Sequence, residues 1–345
     1  MSALGFELPA ALEAREPPEA RGIARDQVRL MVARRGDGSI VHTCFRELPR
    51  FLSGGDLLVI NTSATLPAAV AARRTDGAGV RVHFATTAPH VPDQRWWVVE
   101  LRTADGARPL GAVSRGERLM LAGGGELEIV APYASGARLL LARAELGVTV
   151  TSYLARHGEP IRYGYVTGRW PLDAYQTAYA MVPGSAEMPS AGRPFTPELI
   201  TRLTASGVLV APITLHAGVS SPERHEPPYP ERYEVPESTA RLANAVRGWG
   251  GRVIAVGTTV VRALETVATH DAVVRAGSGW TGLVVTPARG VAVVDGLITG
   301  WHEPEASHFQ MLEAVGGSEL IERSYSAALE HGYLWHEFGD SQLIV

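Results

Sequence analysis

Gly257-Thr258-Thr259 interrupts the run GRVIAVGTTVVRALE, Gly251 to Glu265, at the place where chemistry is most easily built. Before it, Val253 to Val256 reads as a buried strand. After it, Val260, Val261, Leu264, Val267 and Ala268 recur at helical intervals, with Thr258 or Thr259 placed to cap the helix. A helix start following a strand offers free N–H groups and partial positive charge, which suit a carboxylate or a phosphate. Arg262, one turn in, adds a guanidinium able to grip a carboxylate bidentately; the plain alternative is an arginine paired with Glu265 on its own helix. His216 closes a second apolar run, Val208 to Leu215, and an imidazole titrates near neutrality, as proton transfer requires. A strand-end histidine tied to a carbonyl is the competing role. His225, His302, His308 and His336 lack metal-site spacing, so no metal is expected. Gly123 to Gly125 precedes a strand rather than a helix, which argues against a phosphate loop.

The elements that must position these residues fall into two styles. From Leu66 to Arg143 the chain is a series of short strand-like runs broken by glycine: Val80 to Phe84, Trp96 to Leu101, Arg118 to Leu121, Glu126 to Val130 and Arg138 to Leu141, with a hairpin turn at Gly123 to Gly125. After Leu146 strands alternate with capped helices. Val148 to His157 reads as a helix. Thr196-Pro197-Glu198 starts another that should end at Gly207, and Pro236 to Trp249 a third. Val291 to Val294 reads as a strand ending at Asp295. The expected fold is α/β, a barrel-like main domain of residues 1–65 and 147–345 with an all-β barrel domain, 66–146, inserted into it. Pro222 to Pro230 reads as a surface loop or lid.

Composition bounds the partners. With 345 residues, 46% of them hydrophobic, the chain can bury a substantial core. A formal charge of −4 and a pI near 6.3 give no basic surplus for tight, sequence-independent nucleic-acid binding. Cys44 is the sole cysteine, which excludes an internal disulfide and fits a reducing compartment. Neither a signal segment nor a membrane-spanning run is read, so a cytoplasmic location is expected and no membrane partner; oligomeric state is not legible.

Several blocks occur in one order: Gly55-Asp56-Leu57-Leu58-Val59-Ile60-Asn61, Tyr175-Gln176-Thr177-Ala178-Tyr179-Ala180, Pro183-Gly184-Ser185, Thr214-Leu215-His216, the Gly251 to Glu265 run, and Val294-Asp295-Gly296-Leu297-Ile298-Thr299. In that order they resemble the S-adenosylmethionine:tRNA ribosyltransferase-isomerase family of queuosine biosynthesis, across nearly the whole chain. The resemblance implies an α/β-barrel-like domain carrying a β-barrel insertion. It also implies transfer and isomerisation of the ribosyl part of S-adenosylmethionine onto the aminomethyl group of a 7-deazaguanine base in tRNA, with adenine and methionine released. The sulfonium acidifies the 5′ carbon, a base removes that proton, adenine leaves, and the amine captures the exposed aldehyde. The protein must therefore supply a base, polar support for adenine and surroundings that tolerate a cation.

On that footing the expected catalytic residues are His216, Glu231 and His302. The expected binding residues are Gly257, Thr258, Thr259, Arg262, Tyr233, Asp295 and Trp301. Glu231 is a candidate to take the 5′ proton or face the sulfonium, or else a solvated loop residue. Asp295 is a candidate for a ribose hydroxyl, or a turn former. Trp301 stacks on adenine or packs in the core. Tyr175, Gln176 and Tyr179 are read on a helix, for stacking or packing. The chain departs from the family pattern within its motifs. Thr-Ala-Gly-Leu-His-Phe-Thr is replaced by Ser190-Ala191-Gly192-Arg193-Pro194-Phe195-Thr196, and Asn-Asp-Thr-Arg by Asn61-Thr62-Ser63-Ala64. Ala217-Gly218-Val219-Ser220-Ser221 follows His216 in place of Val-Gly-Leu-Gly-Thr, and Gly300-Trp301-His302-Glu303-Pro304 stands for Asn-Phe-His-Leu-Pro. Pro194 cannot exchange protons as a histidine does. The alternatives are an enzyme that uses S-adenosylmethionine with another acceptor or cleaves it without transfer, and a non-catalytic S-adenosylmethionine-binding protein.

Overall fold

In a computed structural model, residues 6–111, 113–133, 138–219, 229–302 and 307–345 are described. Most of the loop expected over Pro222 to Pro230, and with it His225, lies outside them, as do Glu303 and Pro304.

The chain opens with β1 (Arg29–Ala33), β2 (Ile40–Cys44), β3 (Leu57–Asn61) and the short β4 (Ser63–Thr65). Six strands then close a barrel: β5 (Ala69–Arg73), β6 (Gly79–Thr87), β7 (Trp96–Thr103), β8 (Arg118–Leu121), β9 (Glu126–Pro132) and β10 (Leu139–Glu145), in the order β10-β7-β6-β5-β8-β9. Helix α1 (Val150–His157) leads out, its first turn capped by Thr149, which accepts from Ser152 N. The return to the main body runs through β11 (Val182–Ser185), α2 (Pro197–Ala205), β12 (Leu209–Leu215), β13 (Glu231–Val235), α3 (Glu237–Gly248), β14 (Val253–Val256) and α4 (Thr258–Val267). It ends with β15 (Gly277–Thr281), β16 (Gly296–Gly300), α5 (Ser307–Gly316), α6 (Ser318–Glu330) and β17 (Ser341–Ile344).

Nine strands form one sheet in the order β15-β13-β12-β3-β14-β16-β17-β1-β2. The mixed α/β class and the closed all-β barrel are as expected, whereas the larger sheet is open, ending at β15 and β2. At its centre β12, β3, β14 and β16 are parallel, so their carboxyl ends share one edge. The pleat sends alternate residues to opposite faces. Leu57, Val59, Val253, Ala255 and Leu297 pack with α3, α4, α5 and α6; Leu58, Ile60, Ile254, Val256 and Ile298 pack with Phe195, Leu199 and Leu203 around α2. Strands covered on both faces read as continuous apolar runs, which is why LLVI and VIAV stand out in the sequence. Each side chain buried in this way contributes about 1.5–3 kcal/mol.

Three sequence expectations shift. Val291 to Val294 is not a strand: β16 begins at Gly296, and the backbone N–H groups of Ala292, Val293 and Val294 all donate to the Glu265 carboxylate at 2.9–3.3 Å. Tyr175 ends a short 3₁₀ turn, Leu172–Tyr175, rather than sitting on a helix with Gln176 and Tyr179. Gln176 there substitutes for a strand partner, exchanging both of its amide hydrogen bonds with the backbone of Thr65 at 2.9 and 2.8 Å. Finally, α4 is capped by Gly257 itself, not by Thr258 or Thr259. Gly257 has φ +97°, open to glycine and strained for other residues, so the strand can turn into the helix without a connecting loop.

Candidate functional site

The carboxyl ends of the parallel strands gather the polar residues that the apolar runs deliver. Asn61, the last residue of β3, is buried and uses its whole amide: Nδ2 donates to Leu215 O at 2.8 Å and Thr259 Oγ1 at 3.2 Å, while Oδ1 accepts from Leu215 N at 2.9 Å and Ser63 N at 3.1 Å. It thus locks the ends of β3 and β12 to the first turn of α4.

His216 follows directly. Its Nδ1 lies 2.7 Å from Ser63 Oγ, which lies 2.6 Å from Ser185 Oγ, which accepts from Ala217 N at 2.9 Å. Ser185 Oγ accepts the amide with one lone pair and keeps a second lone pair and its proton for Ser63, so the chain can run toward His216 Nδ1 or away from it. Burial, with the Arg232 charge adding to it, lowers the His216 pKa to about 4, so the imidazole is neutral at pH 7. Gly184 lies flat against the ring; a Cβ there would collide with Nδ1 and Cε1. The glycine of Pro183-Gly184-Ser185 is explained by that contact.

Glu231 begins β13. One carboxylate oxygen accepts from Gly218 N at 2.8 Å and the other meets Arg262 Nη1. Arg262 is 5% exposed and also donates from Nε to the carbonyl of Leu283, at 3.2 Å, and from Nη2 to that of Thr281, at 2.9 Å. The carboxylate paired with Arg262 is that of Glu231 and not that of Glu265, which serves Arg289. Arg262 fixes Glu231. Tyr233 shares a face of β13 with Glu231 and packs over Gly277 and Gly279 of β15.

His302 lies beyond β16 with Nε2 3.0 Å from Thr299 Oγ1, its ring 4.8 Å from that of His308 at the start of α5. Burial first, then the neighbouring His308 and His336, depress His302 well below the usual imidazole range; burial and the Arg262 charge lower His308 to about 4. His216, Glu231, Arg262 and the two histidines thus give this edge a polar character that includes several neutral imidazoles.

Two expected residues are not part of it. Asp295 precedes β16 and so lies at the opposite, amino-terminal edge of the sheet, where Oδ2 accepts from Val253 N at 2.9 Å; the strand it was thought to end in fact starts after it. Trp301 is 2% exposed, with its ring 5.2, 5.5 and 5.7 Å from Tyr325, Tyr333 and Trp335, so it is packed in the core. Conversely, Asn61, Ser63, Ser185 and His308 were given no role. Asn61 and Ser185 stood inside quoted blocks, but their partners lie 154 and 122 positions away in the chain, which spacing cannot reveal.

The profile described as "Queuosine biosynthesis protein" matches residues 1–344. The chain belongs to that family. Its relatives include the S-adenosylmethionine:tRNA ribosyltransferase-isomerase of Symbiobacterium thermophilum, 37% identical over 100% of this chain and 99% of that protein, and that of Thermus thermophilus, 35% identical over 100% and 99%. A crystal structure of the S-adenosylmethionine tRNA ribosyltransferase from Thermotoga maritima is similar, with a TM-score of 0.54 and 28% identity over 99% of each chain. Among the described residues no helix is long and apolar enough to cross a membrane, and no cluster of three or more histidine, cysteine or acidic residues could hold a metal.

Proposed function

We propose that the chain is an S-adenosylmethionine-dependent ribosyltransferase-isomerase. It moves the ribosyl moiety onto a 7-aminomethyl-7-deazaguanine base in tRNA to give epoxyqueuosine, and releases adenine and methionine. Full-length relatives at 35–37% identity that carry this activity in their names support the reading. The observation that carries it at residue level is the Ser185–Ser63–His216 relay beside the Arg262-held Glu231 carboxylate.

The roles follow from charge and donor direction. The start of α4 at Gly257, Thr258 and Thr259 offers amides and the positive helix end to the methionine carboxylate. Glu231, kept in place by Arg262 and Gly218 N, faces the sulfonium and is the candidate base for the 5′ proton. His216 presents the Nε2 side of a neutral imidazole to the departing adenine or the opening sugar. Neutral His216, His302 and His308 do not repel a sulfonium, whereas imidazolium ions in the same places would. Asp295 and Trp301 act only through the fold. Residues 66–146 are taken as a domain inserted between 1–65 and 147–345.

The test is incubation of the purified protein with labelled S-adenosylmethionine, with and without tRNA bearing the aminomethyl-deazaguanine precursor. Adenine release and label transfer only with that tRNA is the expected outcome. Release without tRNA would replace the acceptor, and binding without turnover would leave only a binding protein.

A further inference from the structure

Between the barrel and the segment that leaves it lies a cavity of about 170 Å³ that none of the preceding roles uses. One wall comes from the barrel, with Arg81 and His83 on β6; the other comes from the residues after α1, with Arg162, Arg169, Trp170 and Tyr175. Backbone joins the two walls, because Ala69 of β5 and Glu159 exchange both N–H to carbonyl hydrogen bonds at 2.9 Å. A space of this size holds an aromatic ring, since benzene occupies a cavity of about 150 Å³.

The charges around it are unequal. Arg81 Nη1 donates to Glu159 Oε2 at 2.9 Å and Arg169 Nη1 donates to Oε1 at 3.1 Å. The Arg81 hydrogen bond, then the Arg81, Arg169 and Arg162 charges, hold the Glu159 carboxyl below its usual range against burial. The second carboxylate, Asp105, already accepts from Thr103 Oγ1 and from Ala107 N. Three guanidinium groups thus meet two carboxylates that are both engaged, and the buried Nε of Arg81 has no hydrogen-bond partner. Trp170 is half-buried, its ring held by Nε1, which donates to Thr167 O at 3.0 Å. His83 is buried, and that burial lowers its pKa, so it adds a neutral polar wall.

A bare anion would use the guanidinium groups and leave the indole idle, an apolar ligand would do the reverse, and a sulfonium would be repelled. An unpaired nucleotide supplies both a π face and a phosphate. Because the chain as a whole carries a formal charge of −4, its grip on RNA must come from local cationic sites. The place is also right. β3 ends at Asn61 on the carboxyl-terminal edge, and eight residues later Ala69 lines the cavity. Between them Ser63 meets His216, and Thr65, roughly 7 Å further along the extended chain, donates from Oγ1 to Tyr175 O at 2.7 Å.

We infer that this cavity receives an unpaired nucleotide of the acceptor RNA flanking the base to be modified, with its ring on Trp170 and its phosphate on Arg169 and Arg162; this rests on the ribosyl transfer proposed above. Occupancy of the cavity adds affinity for tRNA and none for S-adenosylmethionine.

The experiment compares wild type, Trp170→Ala, Trp170→Phe and Arg169→Ala. It measures KM for tRNA bearing the aminomethyl-deazaguanine precursor, tRNA affinity between about 50 and 200 mM salt, and S-adenosylmethionine affinity by calorimetry. Trp170→Ala should raise the tRNA KM about tenfold through lost stacking, and Trp170→Phe, which keeps a π face, should recover most of that loss. Arg169→Ala, at a side chain exposed enough to leave the fold intact, should flatten the salt dependence, the slope of log K against log salt falling by about 0.7 for one lost phosphate contact. S-adenosylmethionine affinity should stay at the wild-type value in all three. An unmoved tRNA KM in Trp170→Ala, an unmoved salt slope in Arg169→Ala, or nucleotide affinity lost in step with tRNA affinity would overturn the assignment. So would AMP binding that Trp170→Ala abolishes while the tRNA KM stays unchanged, which would give the cavity to a free nucleotide. Wild type inactive on this tRNA removes the ribosyl-transfer reading and this one together; active wild type with unaffected variants removes this one alone.

Discussion

The two edges of the parallel sheet use the same kinds of residue to opposite ends. At the amino-terminal edge, Asp56 accepts from Ser53 N at 2.8 Å, Arg252 N at 3.1 Å and Arg252 Nε at 3.1 Å, and Asp295 accepts from Val253 N. Burial pushes Asp56 up, but the Arg252 and Ser53 hydrogen bonds outweigh it and hold the carboxyl below its usual range. Nearby, Glu265 on α4 satisfies Arg289 and three successive backbone amides. These three carboxylates are each tied to backbone amides at or just before the start of a strand. At the carboxyl-terminal edge lie histidines held neutral by burial and the Glu231–Arg262 pair, and Glu337 is held near neutrality. The lesson is that a carboxylate's role is set by which end of the strand presents it: one edge uses charge to fix registers, and the other keeps groups ready to exchange protons.

The largest effect expected from breaking this contrast is at Arg262. Arg262→Met leaves Glu231 buried without its cation, and should lower stability by about 3–5 kcal/mol in urea unfolding. A shift below about 1 kcal/mol would show that Arg262 is not the anchor of Glu231. His216→Asn should behave differently, cutting turnover about 100-fold with a stability change under about 1.5 kcal/mol. Equal losses in affinity and turnover would make His216 a positioning residue.

Titration sharpens the comparison further. His216, His308 and His336 have folded pKa values near 4, below the usual 6.5, so the unfolded chain binds more protons between those values. Stability at that edge should therefore be full above about pH 6.5 and fall progressively toward pH 4. The depressed Asp56 acts in a lower window, its contribution present above its unfolded pKa and lost as pH falls through its folded one. Urea midpoints against pH should show the first decline before the second, and a flat profile from pH 7 to 4 would contradict the histidine burial. The smallest effect belongs to Asp295→Asn. The amide keeps an acceptor for Val253 N, so less than about 1 kcal/mol should be lost, with S-adenosylmethionine affinity unchanged.

How much of this was legible in the sequence follows the same division. Runs such as Leu57 to Ile60 and Val253 to Val256 declare buried strands by composition alone, and Thr196-Pro197 declares a helix start that the structure repeats, with Thr196 Oγ1 accepting from Leu199 N at 3.1 Å. Five of the six barrel strands were read, within a few residues at their ends, but β5, Ala69–Arg73, was not: its small alanines give little alternating signal. Val291 to Val294 misled because Val293 and Val294 are buried, and Val291 and Ala292 partly so, as a loop once Glu265 satisfies the amides of residues 292–294, a contact made from 27 to 29 positions away. That error carried Asp295 to the wrong edge. Trp301 misled because an aromatic ring suits a ligand and a core equally well until its neighbours are known. Arg81, Arg162, Arg169 and Trp170 gave no local signal, since their meeting depends on the barrel's exit segment folding back onto β5 and β6.

The central claim is that the nucleotide binds at the carboxyl-terminal edge. Hydrogen exchange with and without S-adenosylmethionine tests it directly. The account predicts slowed exchange at residues 61–65, 184–193, 216–218 and 257–261, and none at 53–56, 250–253 or 291–296. Protection confined to the second set would contradict it.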